Sequence, residues 1–393
     1  MESIRNYKSV NLWQRYQNSY LSYFFMYNFY YLSWALFSAL ISVYLMGMGF
    51  KASEVSLVVS ASFLTSLITQ PIIGKWNDQY NLKKVNTVLF VIAIVGGLVF
   101  MLSRHLIMIM ISYSVVLMSI NGVNPIMEKI ATASPYQYGK IRIWGTIGYA
   151  VASKISGIVY DDVSPEAMYA FFTIGLIVCV IGIYGTQNVK QVKTQKKEKS
   201  TGLLQKNFII YLVIVCLFYA ITNTNTTYLP AMFQNLGLSM NIISTVIFIL
   251  TLSELPIIYF SQYYMNRLTN KQLLVGIFLL LTIQFFTYSF IKQAMIVIIV
   301  SICTKAVSTM LFIMLNLKIV ATIVDMKHQM SALALVQTCR NFGSIVFQFV
   351  AGYLIDFYSY DIFYLILCLL SIVGMVICIF YRIPSGNHQH LFD

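Results

Sequence analysis

Residues 85–103 read Val85-Asn-Thr-Val-Leu-Phe-Val-Ile-Ala-Ile-Val-Gly-Gly-Leu-Val-Phe-Met-Leu-Ser103 and contain no charged side chain. This stretch has the length and apolarity that a helix needs to cross the hydrocarbon core of a bilayer. Similar stretches fill almost the whole chain, and the charged residues stand between them. Charged residues make up 10% of the composition and hydrophobic ones 59%, and the mean hydropathy is +0.75. No water-soluble protein of 393 residues could bury so much apolar side chain, so the sequence predicts an integral membrane protein.

Division of the chain at charged and Pro-, Gly- or Asn-rich breaks predicts an all-α membrane protein with twelve membrane-spanning helices. The apolar runs are continuous, which excludes the alternating pattern of a transmembrane β-barrel. The first run follows a basic start but is too long for a signal peptide, so we interpret it as a retained helix. The predicted helices are 19–46, 54–74, 85–103, 106–132, 139–160, 167–186, 207–232, 240–262, 272–290, 294–323, 329–355 and 360–382.

Positive charge concentrates in every second loop. The loops after even-numbered helices contain Lys75, Lys83, Lys84, Lys140, Arg267, Lys271 and Lys327, and the central loop adds six lysines. The other loops contain only Lys51, Arg104 and Lys292. The positive-inside rule therefore predicts that both termini are cytoplasmic. Because the net charge of +13 is spread over alternate loops, it does not indicate nucleic-acid binding. The Lys-, Ile- and Asn-rich composition favours a bacterial plasma membrane.

All six cysteines fall inside apolar runs, without a CxxC motif or a histidine at ligand spacing. We expect neither disulfides nor a metal site, and interpret these residues as small core-filling side chains. They are Cys179, Cys216, Cys303, Cys339, Cys368 and Cys378.

The chain contains an approximate internal repeat. Arg142-Ile-Trp-Gly-Thr-Ile147 in the fifth predicted helix is similar to Arg340-Asn-Phe-Gly-Ser-Ile345 in the eleventh. Near the ends of the same helices, Ser156-Gly-Ile-Val-Tyr-Asp161 is similar to Ala351-Gly-Tyr-Leu-Ile-Asp356. We predict two pseudo-symmetric six-helix bundles, 1–186 and 207–393, joined by a basic cytoplasmic loop, 187–206. Secondary transporters are often built in this way, with the site between the halves near the bilayer midplane.

Polar side chains inside the predicted helices are few and costly in lipid, so each is a candidate functional residue. Helical spacing places Asn124 and Glu128 on one face of the fourth helix. It places Arg142 and Tyr149 on one face of the fifth. The substrate-binding candidates are Asn124, Arg142, Tyr149, Asn223, Asn225, Lys305 and Arg340, and the proton-coupling candidates are Glu128 and Glu254.

Two ion pairs are possible, Glu128 with Arg142 and Glu254 with Arg340, and the sequence does not establish contact in either. Simpler interpretations stay open. Glu128 and Arg142 flank a loop and are equally well explained as interfacial charges. Glu254 and Arg340 would also suit a purely structural lock. The asparagines of the seventh helix would also join helices by hydrogen bonds, and Lys305 would also reach toward the interface.

The loop Gly74-Lys-Trp-Asn-Asp78-Gln-Tyr-Asn-Leu-Lys83-Lys84 resembles the signature loop of the major facilitator superfamily, a Gly-x-x-x-Asp followed by a basic pair. It departs at Gln79, where the family has a basic residue, and at Asn81, where it has glycine. With twelve predicted spans and duplicated halves, the resemblance extends over the whole chain. It implies the major facilitator fold and a gating role for Gly74, Asp78 and Lys83.

Within that superfamily, the segment from Tyr138 to Tyr149 resembles the fifth helix of the oligosaccharide–proton symporters, the lactose permease group. The resemblance implies a sugar-binding arginine at Arg142 and an aromatic platform at Tyr149. Glu128 and Arg340 match a carboxylate and a cation of that group. The key sugar-binding carboxylate of the group is replaced by Asn124, which is neutral, and its histidine–glutamate proton relay is missing from the tenth helix.

The sequence therefore favours a secondary active transporter that imports a small polar solute, such as a sugar, oligosaccharide or nucleoside, together with protons. The alternative is a drug or metabolite efflux antiporter of the same fold, and a third hypothesis is a membrane receptor or scaffold. An enzyme is the least favoured class, because the chain has no nucleophile–base arrangement and no Gly-rich phosphate loop. We expect no cofactor and no obligate protein partner, since the superfamily usually works as a monomer.

Overall fold

The computed structural model describes residues 15–187, 205–265, 267–324 and 329–381, apart from the side chains of Asp78, Gln262 and Met330. These residues form helices and connecting turns, without a strand in the described ranges. We number the helices so that α1–α12 correspond to the predicted segments, with letters where a segment is interrupted. They are α1a (Tyr20–Ser38), α1b (Ile41–Gly47), α2 (Ala52–Gln79), α3 (Leu82–Leu102), α4 (Leu106–Thr132), α5 (Tyr138–Asp162), α6 (Ala167–Gly185), α7 (Lys206–Asn235), α8a (Met240–Leu252), α8b (Glu254–Tyr259), α8c (Ser261–Met265), α9 (Asn270–Phe290), α10 (Ala294–Ile323), α11 (Gln329–Phe357) and α12 (Tyr360–Phe380).

Ten of these segments in the described part of the chain are long and apolar enough to cross a membrane. The two that fall short are α5 and α11, which carry the repeated arginine motif and a polar face. The all-α membrane fold is confirmed, whereas the number of twelve spans stays a prediction. The predicted central loop lies almost entirely outside the described residues.

Polar side chains mark where several helices begin. The Asn81 side chain accepts a hydrogen bond from the backbone N–H of Lys83 at 3.0 Å and so caps α3. Thr269 and Gln272 form a reciprocal capping box at the start of α9. Ser359 accepts from the backbone N–H of Ile362 and caps α12. The breaks that were predicted from composition are therefore stabilised by caps.

The helix contacts repeat from one half of the chain to the other. In the first half α1 packs on α5 and α6, α2 on α4, and α3 on α4 and α6. In the second half α7 packs on α11 and α12, α8 on α10, and α9 on α10 and α12. Each contact therefore recurs six helices later, as the internal sequence repeat leads one to expect. This pattern supports our proposal that the halves 1–186 and 207–393 are separate bundles.

Two helix pairs make most of the contacts between the halves. In these pairs α2 of the first half packs on α11 of the second, and α5 packs on α8. We call the end where α2 and α8 begin the outer end, because the loop charges predict that it faces out of the cell. Among the described residues, the hydrogen bonds between the halves lie toward this end. Ser42 donates to the carbonyl of Thr227 at 2.5 Å, and Tyr228 donates to that of Ala52 at 2.8 Å.

In each of these two pairs, a glycine of the internal repeat lets the helices approach closely. A Cβ atom on Gly157 of α5 would lie 2.8 Å from the backbone oxygen of Met240 in α8. A Cβ atom on Gly352 of α11 would lie 2.5 Å from the backbone oxygen of Ala52 in α2. A larger residue at either position would push the halves apart at the outer end.

Four residues after each glycine, an aspartate caps the helix of the opposite half. Asp161 accepts a hydrogen bond from the backbone N–H of Asn241 at 3.1 Å. Asp356 accepts from the backbone N–H groups of Ala52 and Ser53, at 2.9 and 2.8 Å. A carboxylate at a helix N-terminus satisfies unpaired N–H groups and favours the helix dipole. We call these two Gly-x-x-x-Asp contacts the paired aspartate caps.

Glycine packing inside the first half gives a stability prediction. A Cβ on Gly182 of α6 would lie 2.2 Å from the backbone nitrogen of Met26 in α1a, whereas one on Gly276 of α9 would meet nothing within 4 Å. We expect Gly182→Ala to lower the free energy of unfolding by about 1–3 kcal/mol through overpacking. Thermal unfolding of the detergent-solubilised protein measures this effect.

Gly276→Ala is the matched control, because alanine favours a helix over glycine by up to about 1 kcal/mol and has room there. It should leave the unfolding midpoint unchanged or raise it. Equal midpoints for the two variants would contradict the close packing of α6 on α1a.

Candidate functional site

A cavity of about 410 Å³ lies between the two halves. It is lined by α1, α2, α4 and α5 from the first half and by α7, α8, α10 and α11 from the second. Six of the predicted site residues line it: Arg142, Tyr149, Asn223, Glu254, Lys305 and Arg340. Sequence positions far apart in the chain therefore converge on one space, as a site between pseudo-symmetric halves requires.

The Arg142 guanidinium and the Glu128 carboxylate form an ion pair, with Nη1 and Oε1 3.7 Å apart. Tyr27 and Tyr31 of α1a bridge the pair. Arg142 donates to their hydroxyl groups at 3.1 and 3.0 Å, and these hydroxyls donate to Glu128 at 2.7 and 3.1 Å. Tyr138 donates to the second carboxylate oxygen at 2.6 Å. The structure thus places the first predicted pair in contact, within a tyrosine network.

Two glycines of the α5 motif allow this network to form. A Cβ on Gly145 would lie 2.6 Å from the Tyr27 ring, and one on Gly148 would lie 2.5 Å from the backbone oxygen of Asn28. Because α5 approaches α1a so closely, the arginine one turn earlier reaches the tyrosine hydroxyls. Glu128 itself lies beside the cavity and acts on it through Arg142 and Tyr31.

Glu254 lies where α8 is interrupted, directly after Ser253 at the start of α8b. Its side chain interacts electrostatically with Lys305 of α10 and with Arg142 across the cavity. Among the described residues, it forms no ion pair within 4.0 Å. Tyr149 of α5 also interacts electrostatically with Glu254. The carboxylate therefore stands among polar groups from both halves.

Arg340 does not pair with Glu254 in this structure, which differs from the contact considered above. Its guanidinium carbon lies 4.7 Å from the centre of the Tyr219 ring, in a cation–π arrangement. Its Nε is buried without a hydrogen-bond partner in the described part of the chain. Glu254 interacts with Lys305 and Arg142 instead.

The predicted asparagines separate into two groups. Asn223 lines the cavity and donates to the Ser344 hydroxyl at 2.6 Å. Asn225, two residues later, is only 2% exposed and lies on another face of α7, away from the lining. Asn124 does not line the cavity either and interacts with Tyr30 of α1a. As substrate ligands, Asn124 and Asn225 are therefore not supported by their positions.

The predicted signature loop lies away from the cavity. Residues 74–79 are the last turns of α2 rather than a loop. A Cβ on Gly74 would meet nothing within 4 Å, so this glycine does not bring two helices close together. Lys83 donates to the backbone oxygens of Tyr184 and Thr186, at 3.4 and 2.5 Å, and so joins α3 to α6. The side chain of Asp78 lies outside the described part of the structure.

Sequence reasoning missed several residues at the site. Tyr27, Tyr31 and Trp34 follow one another at spacings of four and three, which places them on one face of α1a. That spacing was a usable signal, but the first predicted helix, 19–46, contains many other aromatic residues, so these three do not stand out. Asn121 of α4 and Tyr219 of α7 had no distinguishing pattern of their own.

Comparison with known proteins identifies the family. Residues 20–365 match the MFS_1 like family. The chain is 27% identical over 263 residues to the uncharacterized transporter YwbF of Bacillus subtilis, which covers 64% of each chain. It is 23% identical over 205 residues to the probable 3-phenylpropionic acid transporter of Escherichia coli, covering 48% of this chain and 52% of that one. The matches thus span less than two thirds of either relative.

A longer match is to the maltose permease of Geobacillus stearothermophilus, 22% identical over 371 residues and covering 89% and 92% of the two chains. Crystal structures of the nucleoside transporter NupG superpose with TM-scores of 0.81 and 0.78 at 14% identity. The former superposition covers 91% of this chain and 98% of that one, which establishes the shared fold. The resemblance to the major facilitator superfamily is confirmed, and the chain belongs to the MFS_1 like family.

Proposed function

We propose that the protein is a secondary active transporter that imports a small polar solute, such as a sugar, oligosaccharide or nucleoside, together with protons. The observation that supports this proposal most strongly is the cavity between the halves, which carries Arg142, Glu254, Lys305 and Arg340. Charged side chains are expensive at this depth in a membrane and are kept there for solute or ion pathways. Relatives named for maltose and phenylpropionic acid transport support a small solute.

The cavity residues suggest how a solute is bound and coupled. Arg142 donates hydrogen bonds to Tyr27 and Tyr31 and pairs with Glu128. A solute that accepts one of these hydrogen bonds from Arg142 therefore also changes the ion pair with Glu128. Tyr149 offers a ring surface for a sugar or a base. Glu254 is the proposed proton-coupling carboxylate, because it lies between Lys305 and Arg142 without a direct ion pair. Protonation would remove its attraction for both cations.

Alternating access requires the two ends to open in turn. The outer end is held by the paired aspartate caps and by the glycine contacts of α5 and α11. At the inner end, the Arg142 side chain is 38% exposed although it lies in a helix of the bundle. We propose that this arrangement is the inward-facing state, in which the solute leaves toward the cytoplasm.

The efflux alternative is favoured by one observation. The first-half wall of the cavity is strongly aromatic, with Tyr31, Trp34, Phe63, Tyr113 and Tyr149 in the lining. Such a wall also suits apolar drugs. Uptake and extrusion assays on the same vesicles separate the two functions.

Uptake by proteoliposomes with an inward proton gradient tests the proposed function. We expect Arg142→Ala to lower uptake about 30-fold, because a hydrogen bond from a charged group to the solute contributes about 2 kcal/mol. We expect Glu254→Gln to abolish gradient-driven accumulation but to retain exchange of solute across the membrane without a gradient, since glutamine cannot carry the proton. Radiolabelled sugars and nucleosides are the first substrates to test.

Arg104→Ala and Glu166→Gln are the matched controls. These residues form an ion pair at 3.0 Å in the outer loops, away from the cavity. Both controls should transport normally. Extrusion of dyes or drugs without uptake of any solute would overturn the import proposal in favour of efflux.

The paired aspartate caps allow a second test, of the proposed inward-facing state. We expect the double change Asp161→Asn and Asp356→Asn to weaken closure of the outer end, since each cap contributes about 0.5–2 kcal/mol. A cysteine introduced by Thr226→Cys, in the cavity wall, should then react about tenfold faster with a membrane-impermeant maleimide added outside cells.

Asp162→Asn is the control for this test, because Asp162 is adjacent to Asp161 but caps no helix in the described contacts. The parent chain without Thr226→Cys gives the background from the native cysteines. An unchanged rate in the double variant would show that the caps do not hold the outer end closed.

A further inference from the structure

The cavity has more positive than negative charge in its walls. Its side chains that can carry a charge, among the described residues, are Arg142, Lys305, Arg340 and Glu254. Glu128 beside the cavity balances Arg142 through the ion pair at 3.7 Å. Glu254 is then the one carboxylate in the lining for the two cations Lys305 and Arg340, so one positive charge is not compensated.

The same wall also has unused hydrogen-bond donors. The Nε of Arg340 and the Nδ2 of Asn341 are both buried without a partner in the described part of the chain, and Asn341 is only 3% exposed. The Lys305 ammonium group has an electrostatic interaction with Glu254 but no ion pair within 4.0 Å among the described residues. Buried donors without acceptors are costly, and they are normally filled by a ligand or water.

We propose that the transported solute is an organic anion whose carboxylate binds Arg340 and Lys305. This inference rests on the proposed transport function and narrows its substrate class from small polar solutes in general to acids. A carboxylate supplies the missing negative charge and accepts from the planar guanidinium in a forked geometry. The Tyr219 ring lies against the Arg340 guanidinium at 4.7 Å, and the Nε of this guanidinium lacks an acceptor in the described part of the chain.

The opposite wall determines the rest of the solute. Trp34, Tyr113 and Tyr149 of the first half face the cavity that Arg340 and Lys305 line from the second. A solute with its carboxylate at the second half therefore places its body against aromatic rings. A volume of about 410 Å³ is at the small end of ligand pockets. Aryl acids and monosaccharide acids fit these limits, whereas long oligosaccharides exceed them.

Ligand-induced thermal stabilisation of the purified protein tests the proposal, because a ligand that binds the folded state raises its unfolding midpoint. The probes are matched pairs of equal size, 3-phenylpropionate with 3-phenylpropionamide and glucuronate with glucose. We expect the acid of at least one pair to raise the midpoint and its neutral partner to have no effect. Neutral partners that stabilise as well as the acids, or acids without effect in both pairs, would overturn the proposal.

Variants at the anion site sharpen the result. We expect Arg340→Gln to weaken acid binding at least tenfold, and Arg340→Lys to retain part of it because the charge remains. Arg104→Gln is the control, since it removes a guanidinium that lies outside the cavity. Full acid binding by Arg340→Gln would overturn the assignment of this residue, and a normal unfolding midpoint without ligand shows that the variant is folded.

Transport and binding assays together separate the anion site from the transport function. Gradient-driven accumulation of a neutral sugar or nucleoside, not inhibited by either acid, would leave transport intact and overturn the anion site. Binding of an acid that depends on Arg340, without accumulation of any solute by vesicles, would support the anion site and overturn the transport proposal.

Discussion

Every polar group that this chain carries into the bilayer must find its partner inside the protein, because lipid offers none. The helices satisfy the backbone, and many hydroxyl side chains return to their own helix. Ser119, Thr224 and Thr251 each donate to the carbonyl four residues earlier. What remains are the few polar side chains that a single helix cannot satisfy. Some of these join helices within one half, as Tyr211 and Asn316 do, and others join the halves at the outer end or line the cavity.

Much of the fold could be predicted from the sequence, because apolar length and loop charge are local signals. The pair of Glu128 and Arg142 was one of two possible ion pairs in the sequence, and only the structure establishes their contact. The tyrosines that bridge this pair could not be singled out among the 28 tyrosines of the chain. The position of Arg340 relative to Glu254 could not be predicted either, since it depends on how α8 and α11 are oriented in the bundle. Helix ends such as the extension of α2 to Gln79 depend on tertiary packing that composition does not record.

The internal repeat has produced two similar halves with different chemistry. In each half an arginine from α5 or α11 packs on a tyrosine ring of α1 or α7, Arg142 on Tyr31 at 5.4 Å and Arg340 on Tyr219 at 4.7 Å. The first arginine has a carboxylate beside it, while Arg340 has none within 4.0 Å among the described residues. The contact between arginine and tyrosine is therefore the same in both halves. The carboxylate beside the arginine is not, so the two walls of the cavity differ in charge.

The interruption of the first helix, between Ser38 and Ile41, lies in the wall of the cavity, and Ser38, Ala39 and Ile41 all line it. The short segment beyond the break contacts α7, and its Ser42 hydrogen-bonds to the second half. The first helix therefore contacts both halves, α1a the first and α1b the second, and its interruption lies between these two contacts. The proposed alternating access would bend the helix at this interruption, where a solute in the cavity would contact Ser38, Ala39 and Ile41.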